Sequence, residues 1–423
     1  MEEKFVIQGG IPLKGEVEIR GAKNAAFPIL AASLLTKETC VIDNLPLIED
    51  VFKMIKILEG LGAKISWVSK RKIEINCSNV KPSKIPSDLI KCFRGSILLL
   101  GSLLGRFSRV ETPAPGGCVI GSRPIDTHLD AFRQAGVKIE EGKLYSFKRN
   151  GALEKSHEIV LREVSVTATE NILLFSAVNS KKTIIKIADE DYQVQDLIRV
   201  LEKMGAEIKH TGIREIEIIG KKKLKGFKHS IVNDPIEAGT FIVATLATGG
   251  HVTIKNAELE YLDLFLKRLN DFGAKFKVLD PKTIEVLPSK NLRIDKIQSL
   301  PYPGIHSDLQ PELGVLATQT RGPTMIHDPL FEGRLMYLNE LNKMGADIIQ
   351  CDPHRAIVYG SSKLQGTEIL SSDLRAGAAM IIAGLIAKGT TTINNIYQVD
   401  RGYERIEERL QKLGADMKRR IKR

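Results

Sequence analysis

The sequence predicts an α/β protein of two globules, each made of three similar units in which helices are enclosed by sheet. Two observations carry this reading. A segment of the form Leu-x-x-x-Gly-Ala-x-apolar recurs six times, and each copy is preceded by an apolar helix rich in small residues and a β-branched strand. The motif glycines stand at 62, 136, 205, 273, 345 and 414, giving steps of 74, 69, 68, 72 and 69 residues. One unit of about 70 residues therefore accounts for the whole chain.

Taken in order, the motif copies are 58–65, a looser copy around Gly136, then 201–208, 269–276, 341–348 and 410–417. Each reads as an amphipathic helix stopped by a glycine cap and leading into a strand, with its polar face toward solvent. The preceding helices fall at 25–35, 95–104, 169–178, 238–248, 311–318 and 376–387. They are apolar nearly all round and should be buried. Strands at 183–187, 252–255 and 391–394 follow three of them. A solenoid of six units would need polar caps at its ends, and the first and last units are as regular as the rest, so two closed globules are expected. Their junction is a natural place for a ligand.

Composition narrows the class of function. Of 423 residues, 43% are hydrophobic, enough for real cores and too many for a disordered chain. The longest nearly unbroken apolar stretch, 376–387, lies between Arg375 and Lys388 and is far short of the roughly 20 residues a membrane span needs. The opening Met-Glu-Glu-Lys has no export signature, so a cytoplasmic protein is expected. Five cysteines (40, 77, 92, 118, 351) lack any C-x-x-C pair, and the eight histidines lack H-E-x-x-H spacing, which argues against a disulfide framework or a structural metal. The net charge of +11 favours anionic partners. Aromatic content of 5%, with one Trp, offers no stacking ladder for single-stranded nucleic acid.

Polar residues interrupt the pattern at equivalent places. The N-terminal turns of the apolar helices carry Lys23 and Asn24; Arg94; Ser165, Thr167 and Thr169; Asp234 and Glu237; Ser307 and Asp308; Asp373 and Arg375. Helix capping is the plainer explanation for Ser165, Asp234 and Ser307. It does not explain Lys23, Arg94 or Arg375, because a cation there opposes the helix dipole unless an anion lies between. A shared, highly anionic ligand follows; each cation about 4 Å from a phosphate contributes roughly 4 kcal/mol before desolvation. The segment 113–124 has proline at both ends and Gly-Gly before Cys118, which describes an exposed loop. Burial is the commoner fate of a cysteine. Here the neighbouring Arg123 would favour thiolate instead. Arg334 and Arg401 sit in comparable loops, where structural ion pairs are the plainer reading.

Four motifs then resemble one family: Gly-Ala-Lys-Asn-Ala-Ala at 21–26, Pro-Gly-Gly-Cys-Val-Ile-Gly-Ser-Arg-Pro-Ile-Asp at 115–126, Ser-Asp-Leu-Arg-Ala-Gly at 372–377 and Asp-Arg-Gly-Tyr-Glu at 400–404. They are similar to those of the UDP-N-acetylglucosamine 1-carboxyvinyltransferases, and the likeness runs over essentially the whole chain. It implies two inside-out α/β domains, each of three β-α-β-α-β-β units, one formed by 1–21 with 233–423 and the other by 22–232. The active site would lie in the cleft between them. The implied reaction moves enolpyruvyl from phosphoenolpyruvate to the 3′-hydroxyl of UDP-N-acetylglucosamine. That is the first committed step of bacterial peptidoglycan synthesis, on which cell-wall biogenesis, cell shape and cell division depend.

By the same resemblance, Cys118 protonates the methylene carbon and Asp308 takes the sugar hydroxyl proton. Lys23, Arg123 and Arg401 hold phosphate and carboxylate, while Asp373 and Arg375 lie near the reacting groups. Asn24, Arg94 and Arg334 contact ligand. The uridine nucleotide is expected at Arg123, Pro124, Ile125, Asp126 and Thr127, at Glu163, Val164, Ser165 and Val166, and at Leu330. No metal or cofactor is implied beyond the co-substrate phosphoenolpyruvate, and neither nucleic acid nor membrane is a partner; oligomeric state is left open. The sequence departs from the family pattern at Thr167, at Asp191, Tyr192 and Gln193, at Pro235, His306 and Gln398, all near the expected cleft. A sister transferase with another phosphorylated or nucleotide acceptor, and a non-catalytic anion-binding protein, are the alternatives; the cysteine loop speaks against a shikimate 3-phosphate enzyme.

Overall fold

The fold is taken from a computed structural model that describes residues 3–116, 121 and 124–421. The six apolar segments form helices α1 (Lys23–Ala32), α3 (Leu99–Arg106), α5 (Val166–Ser176), α7 (Pro235–Ala247), α9 (Gln310–Ala317) and α11 (Leu374–Ile386). The six motif segments form α2 (Glu49–Leu61), α4 (Asp126–Gln134), α6 (Tyr192–Met204), α8 (Asp263–Asp271), α10 (Leu338–Lys343) and α12 (Ile406–Lys412). No helix among the described residues is long and apolar enough to cross a membrane.

The recurrent motif has a structural cause. All six motif glycines take positive φ, from 80° to 111°, a conformation that costs other residues dearly. In five copies the motif alanine N–H donates back to the motif leucine carbonyl: Ala63 to Leu58, Ala206 to Leu201, Ala274 to Leu269, Ala346 to Leu341 and Ala415 to Leu410. This is the six-to-one closure of a Schellman cap, and it fixes the Leu-to-Ala spacing.

The described residues divide into two compact units, 3–20 with 121 and 233–421, and 21–116 with 124–232. Each unit has three small sheets around three inner helices that pack pairwise on one another, α7, α9 and α11 in the first and α1, α3 and α5 in the second. Side chains of these helices are buried all round, as their apolar sequences require; Ala25, Ala26, Ile29 and Leu30 of α1 and Ala378, Ala379, Met380 and Ile382 of α11 are at most 1% exposed. The outer helices are amphipathic. Helix α6 departs from the expected solvent-facing role: Tyr192, Gln193 and Asp196 are buried, because α6 packs on both α1 and α5.

Local repetition does not foretell how the sheets are closed. In the first unit, the N-terminal strand Glu3–Gln8 lies between Thr390–Asn394 and Asp416–Ile421, antiparallel to both. Lys14–Glu18 runs parallel to His251–Lys255, over 230 residues away in sequence. Arg409 ties this join, pairing with Glu237 and donating Nη2 to the Glu18 carbonyl at 2.7 Å. In the second unit, Lys228–Ser230 completes the sheet of Thr39–Asp43 in the same way.

Candidate functional site

In the first unit, the turn Ser307–Leu309 leads into α9 and places Asp308 beside two buried arginines. Asp308 Oδ1 accepts from Arg334 Nη2 at 3.0 Å, and Oδ2 accepts from Arg375 Nε at 3.0 Å. Arg334 also donates Nε to Ser307 Oγ at 3.0 Å, and Ser307 in turn donates to Asp328 Oδ2 at 2.6 Å. Ser307 is therefore not the cap that the sequence suggests. His306 caps this turn, its Nδ1 accepting the Asp308 N–H at 3.0 Å. Asp308 is not a cap either, which leaves its carboxylate to the arginines.

Arg375 is 1% exposed, yet its Nη1 and Nη2 have no hydrogen-bond partner among the described residues. Burial alone would lower its pKa, but Asp308, Tyr403 and Asp234 outweigh that and keep the guanidinium charged. The charge opposes the α11 dipole, and the protein itself supplies part of the missing anion through Asp308. Asp373 caps α11, accepting the N–H of Arg375 and of Ala376, and its Oδ1 stands 3.9 Å from Arg334 Nη1. Arg401 is buried at the end of the short helix Tyr397–Asp400 and donates Nη1 to Gln398 Oε1 at 2.9 Å. Leu330 is exposed, its N–H held by Asp328 Oδ1. Asp234 caps α7 as expected, with Pro235 in the first turn.

In the second unit, Lys23 opens α1 with its ammonium 3.3 Å from Asp50 of α2 and over the Phe27 ring. Here too a buried carboxylate offsets a cation at a helix N-terminus. Asn24 beside it is half-buried. Arg94 donates Nη2 to the Pro124 carbonyl at 2.7 Å. Thr127, in the first turn of α4, donates to Glu163 Oε1 at 2.9 Å, which brings together two segments assigned to the nucleotide. Pro124 and Asp126 are exposed and Ile125, Val164 and Val166 half-buried. Ser165 caps α5, as expected. Thr167 meets His128 Nε2 at 3.1 Å. Burial, then Arg94, lowers the His128 pKa to about 3, so the ring is neutral. Asp191 caps α6. Together with Asp189 it adds to the burial that raises the Glu170 carboxyl well above its usual range. Cys118 and Arg123 lie outside the described residues.

The sequence profile of the EPSP synthase (3-phosphoshikimate 1-carboxyvinyltransferase) family matches residues 7–410. The chain belongs to this family of enolpyruvyl transferases. Among curated relatives, the UDP-N-acetylglucosamine 1-carboxyvinyltransferase of Finegoldia magna is 40% identical over 420 residues, covering 99% of each chain. The enzyme of the same name from Coxiella burnetii is 40% identical over 419 residues, covering 99% of this chain and 96% of its own. Two solved structures cover the whole of both chains: the enolpyruvyl transferase NikO from Streptomyces tendae, at 24% identity with a TM-score of 0.89, and EPSP synthase from Acinetobacter baumannii, at 18% and 0.74. These likenesses establish that the fold is that of the enolpyruvyl transferases.

Within this enolpyruvyl transferase, several residues that shape the two clusters carry no signal in the sequence. Asp50 and Asp328 hold a cation and a serine from amphipathic or loop segments that carry no distinguishing pattern. His128 and Asn171, whose side chains meet at 3.0 Å, lie on an amphipathic and an apolar helix whose patterns give no sign of a buried polar pair. Tyr403 belongs to the Asp-Arg-Gly-Tyr-Glu motif, but its partners Thr240 and Glu312 come from two other helices.

Proposed function

We propose that this chain transfers the enolpyruvyl group of phosphoenolpyruvate to the 3′-hydroxyl of UDP-N-acetylglucosamine, releasing phosphate. The observation that carries the reading is a carboxylate, Asp308, held between two buried arginines, one of which keeps two donors without a hydrogen-bond acceptor among the described residues. The 40% identity to enzymes of that name along the whole chain supports the choice of acceptor.

In this reading the sugar oxygen attacks C2 of phosphoenolpyruvate and gives its proton to Asp308, while C3 takes a proton from Cys118. The tetrahedral intermediate then breaks its C2–O bond to phosphate, and C3 returns a proton as the enol ether forms. Lys23, Arg123, Arg375 and Arg401 stabilise the charges of phosphate and carboxylate. An anion arriving at Arg375 competes with Asp308 for the guanidinium, so binding of one substrate loosens the base that activates the other. Thr127, Glu163 and their neighbours hold the uridine nucleotide. The reaction as written needs no cofactor beyond its two substrates, and we place it in the cytoplasm.

The test is phosphate release from phosphoenolpyruvate with UDP-N-acetylglucosamine, a different uridine nucleotide and shikimate 3-phosphate as separate acceptors. Release with the first alone is expected. Release only with another acceptor would reassign the substrate, and release with none would remove the reading.

A further inference from the structure

Glu312 lies in the first turn of α9 and is fully buried. Its Oε1 accepts from Tyr403 Oη and from Thr240 Oγ1, both at 3.2 Å, and those two hydroxyls are 2.9 Å apart. Thr240 also reaches the Ile236 carbonyl at 3.0 Å, so two hydroxyl hydrogens serve three acceptors. Oε2 of Glu312 has no hydrogen-bond partner among the described residues. A buried carboxylate left half unsatisfied favours its neutral form. On its far side, the Tyr403 ring carries the guanidinium of Arg375, whose Cζ is 5.3 Å from the ring centroid. The chain of contacts thus runs Glu312, Tyr403, Arg375, Asp308.

We propose that Glu312 is a positioning residue that acts through Tyr403 on Arg375: neutral, it leaves the guanidinium to Asp308 and to an incoming anion, and ionised, it competes with that anion for the same positive charge. The inference rests on Arg375 binding an anionic substrate. The charged groups acting on Glu312 are Arg375 from α11 and Asp308 from the turn before α9. Tyr403 and Tyr337 also face it, the latter with its hydroxyl bonded to Gln310. Of the acids on α7, which packs on α9, Glu237 is neutralised by Arg409 and Asp234 caps the helix. Burial, opposed by Arg375, lifts the Glu312 carboxyl to about 7.

The decisive variant is Glu312→Gln, which keeps shape and an acceptor oxygen but cannot ionise. Two measurements from pH 5.5 to 8.5 are compared with wild type: KM for phosphoenolpyruvate, and melting temperature. For wild type, KM rises several-fold more across this range than in the variant, and the melting temperature falls where the variant's does not. The sign follows from linkage: a carboxyl raised in the fold is stable there as the acid and loses that stability as pH climbs toward its folded pKa. Parallel KM profiles with diverging melting curves would overturn the positioning role, and parallel melting curves would overturn the ionisation itself. The melting comparison needs no turnover, so absence of enolpyruvyl transfer would defeat the proposed reaction and leave the ionisation still decidable.

Discussion

Arg375 directs its Nε at Oδ2 of Asp308 across 3.0 Å, while its two buried terminal nitrogens, on the Tyr403 side, meet no acceptor within hydrogen-bond geometry among the described residues. The carboxylate both anchors the arginine and, in the proposed reaction, receives a proton. Those duties separate by substitution.

Asp308→Asn keeps the size of the side chain and one acceptor oxygen but removes basicity and charge. Turnover should fall by about 100-fold or more, the scale of a lost general base. Because His306 and not Asp308 caps the turn, the fold is affected by another route: two buried guanidiniums lose their shared carboxylate, and breaking such a pair is destabilising. A drop of several degrees in melting temperature should accompany the loss of rate. Near-normal kcat in a variant that melts early would mean that Asp308 is only an anchor, with Asp373 the next candidate for the base.

Cys118 is tested against the other cysteines. Cys40 and Cys77 are buried; burial pushes the Cys40 thiol up to about 12 and raises that of Cys77, so both are inert nucleophiles. Cys92 and Cys351 are exposed and serve as internal controls. An epoxide that mimics phosphoenolpyruvate should label Cys118 and spare the rest, and Cys118→Asp, which retains a donatable proton, should turn over where Cys118→Ala does not. Mass-spectrometric label on Cys92 or Cys351 at equal rate would remove the assignment.

What the sequence made legible was whatever one local stretch of chain decides. The glycine caps, the buried helices and the caps Ser165 and Asp234 each depend on neighbours within a few residues, and all are found as expected. Ser307 reads as a cap from its position, which says nothing of Asp328 and Arg334, 20 to 30 residues further on, that take its hydroxyl. Likewise nothing near Lys14–Glu18 foretells a strand partner at His251–Lys255. Pairing across such separations is settled by the closed shape of the unit.

The repeats expose one strained residue. Asn44, Asn256 and Asn395 follow equivalent strands with φ of 53°, 58° and 55°, and the residue in that place after Lys182–Lys186 is Ile187, with φ of 59°. Asparagine tolerates this left-handed conformation, and a β-branched side chain does not. Ile187 is 39% exposed, so little packing is lost on replacing it. Ile187→Asn should stabilise the protein by about 1 kcal/mol, and the reciprocal Asn256→Ile should destabilise it by a similar amount. Thermal melts of both variants decide the matter; a lower melting temperature for Ile187→Asn would show that the isoleucine is held by packing worth more than its strain.

The second unit carries a pH response opposite in sign to that of Glu312. Asn171 Nδ2 approaches His128 Nδ1 at 3.0 Å and the Ile97 carbonyl at 3.1 Å, while its Oδ1 accepts the Gly101 N–H at 2.8 Å. With the amide nitrogen as donor, Nδ1 of His128 must be the lone pair, and Nε2 gives its hydrogen to Thr167 Oγ1. A second proton on the ring would face the Asn171 hydrogens in a buried site near Arg94. In the unfolded chain the ring takes that proton near pH 6.5, whereas the fold holds the pKa down to about 3. Between those values the unfolded state binds more protons, so stability falls as pH drops, by up to about 1.4 kcal/mol per pH unit. Acidification from pH 7 to 4.5 should therefore loosen this unit, seen as faster backbone hydrogen exchange, corrected for intrinsic rates, in α3, α4 and α5. His128→Gln, which keeps an acceptor and a donor but does not titrate, should melt with a shallower acid slope. Identical slopes for variant and wild type would mean that carboxylates elsewhere account for the acid response and that His128 contributes nothing to it.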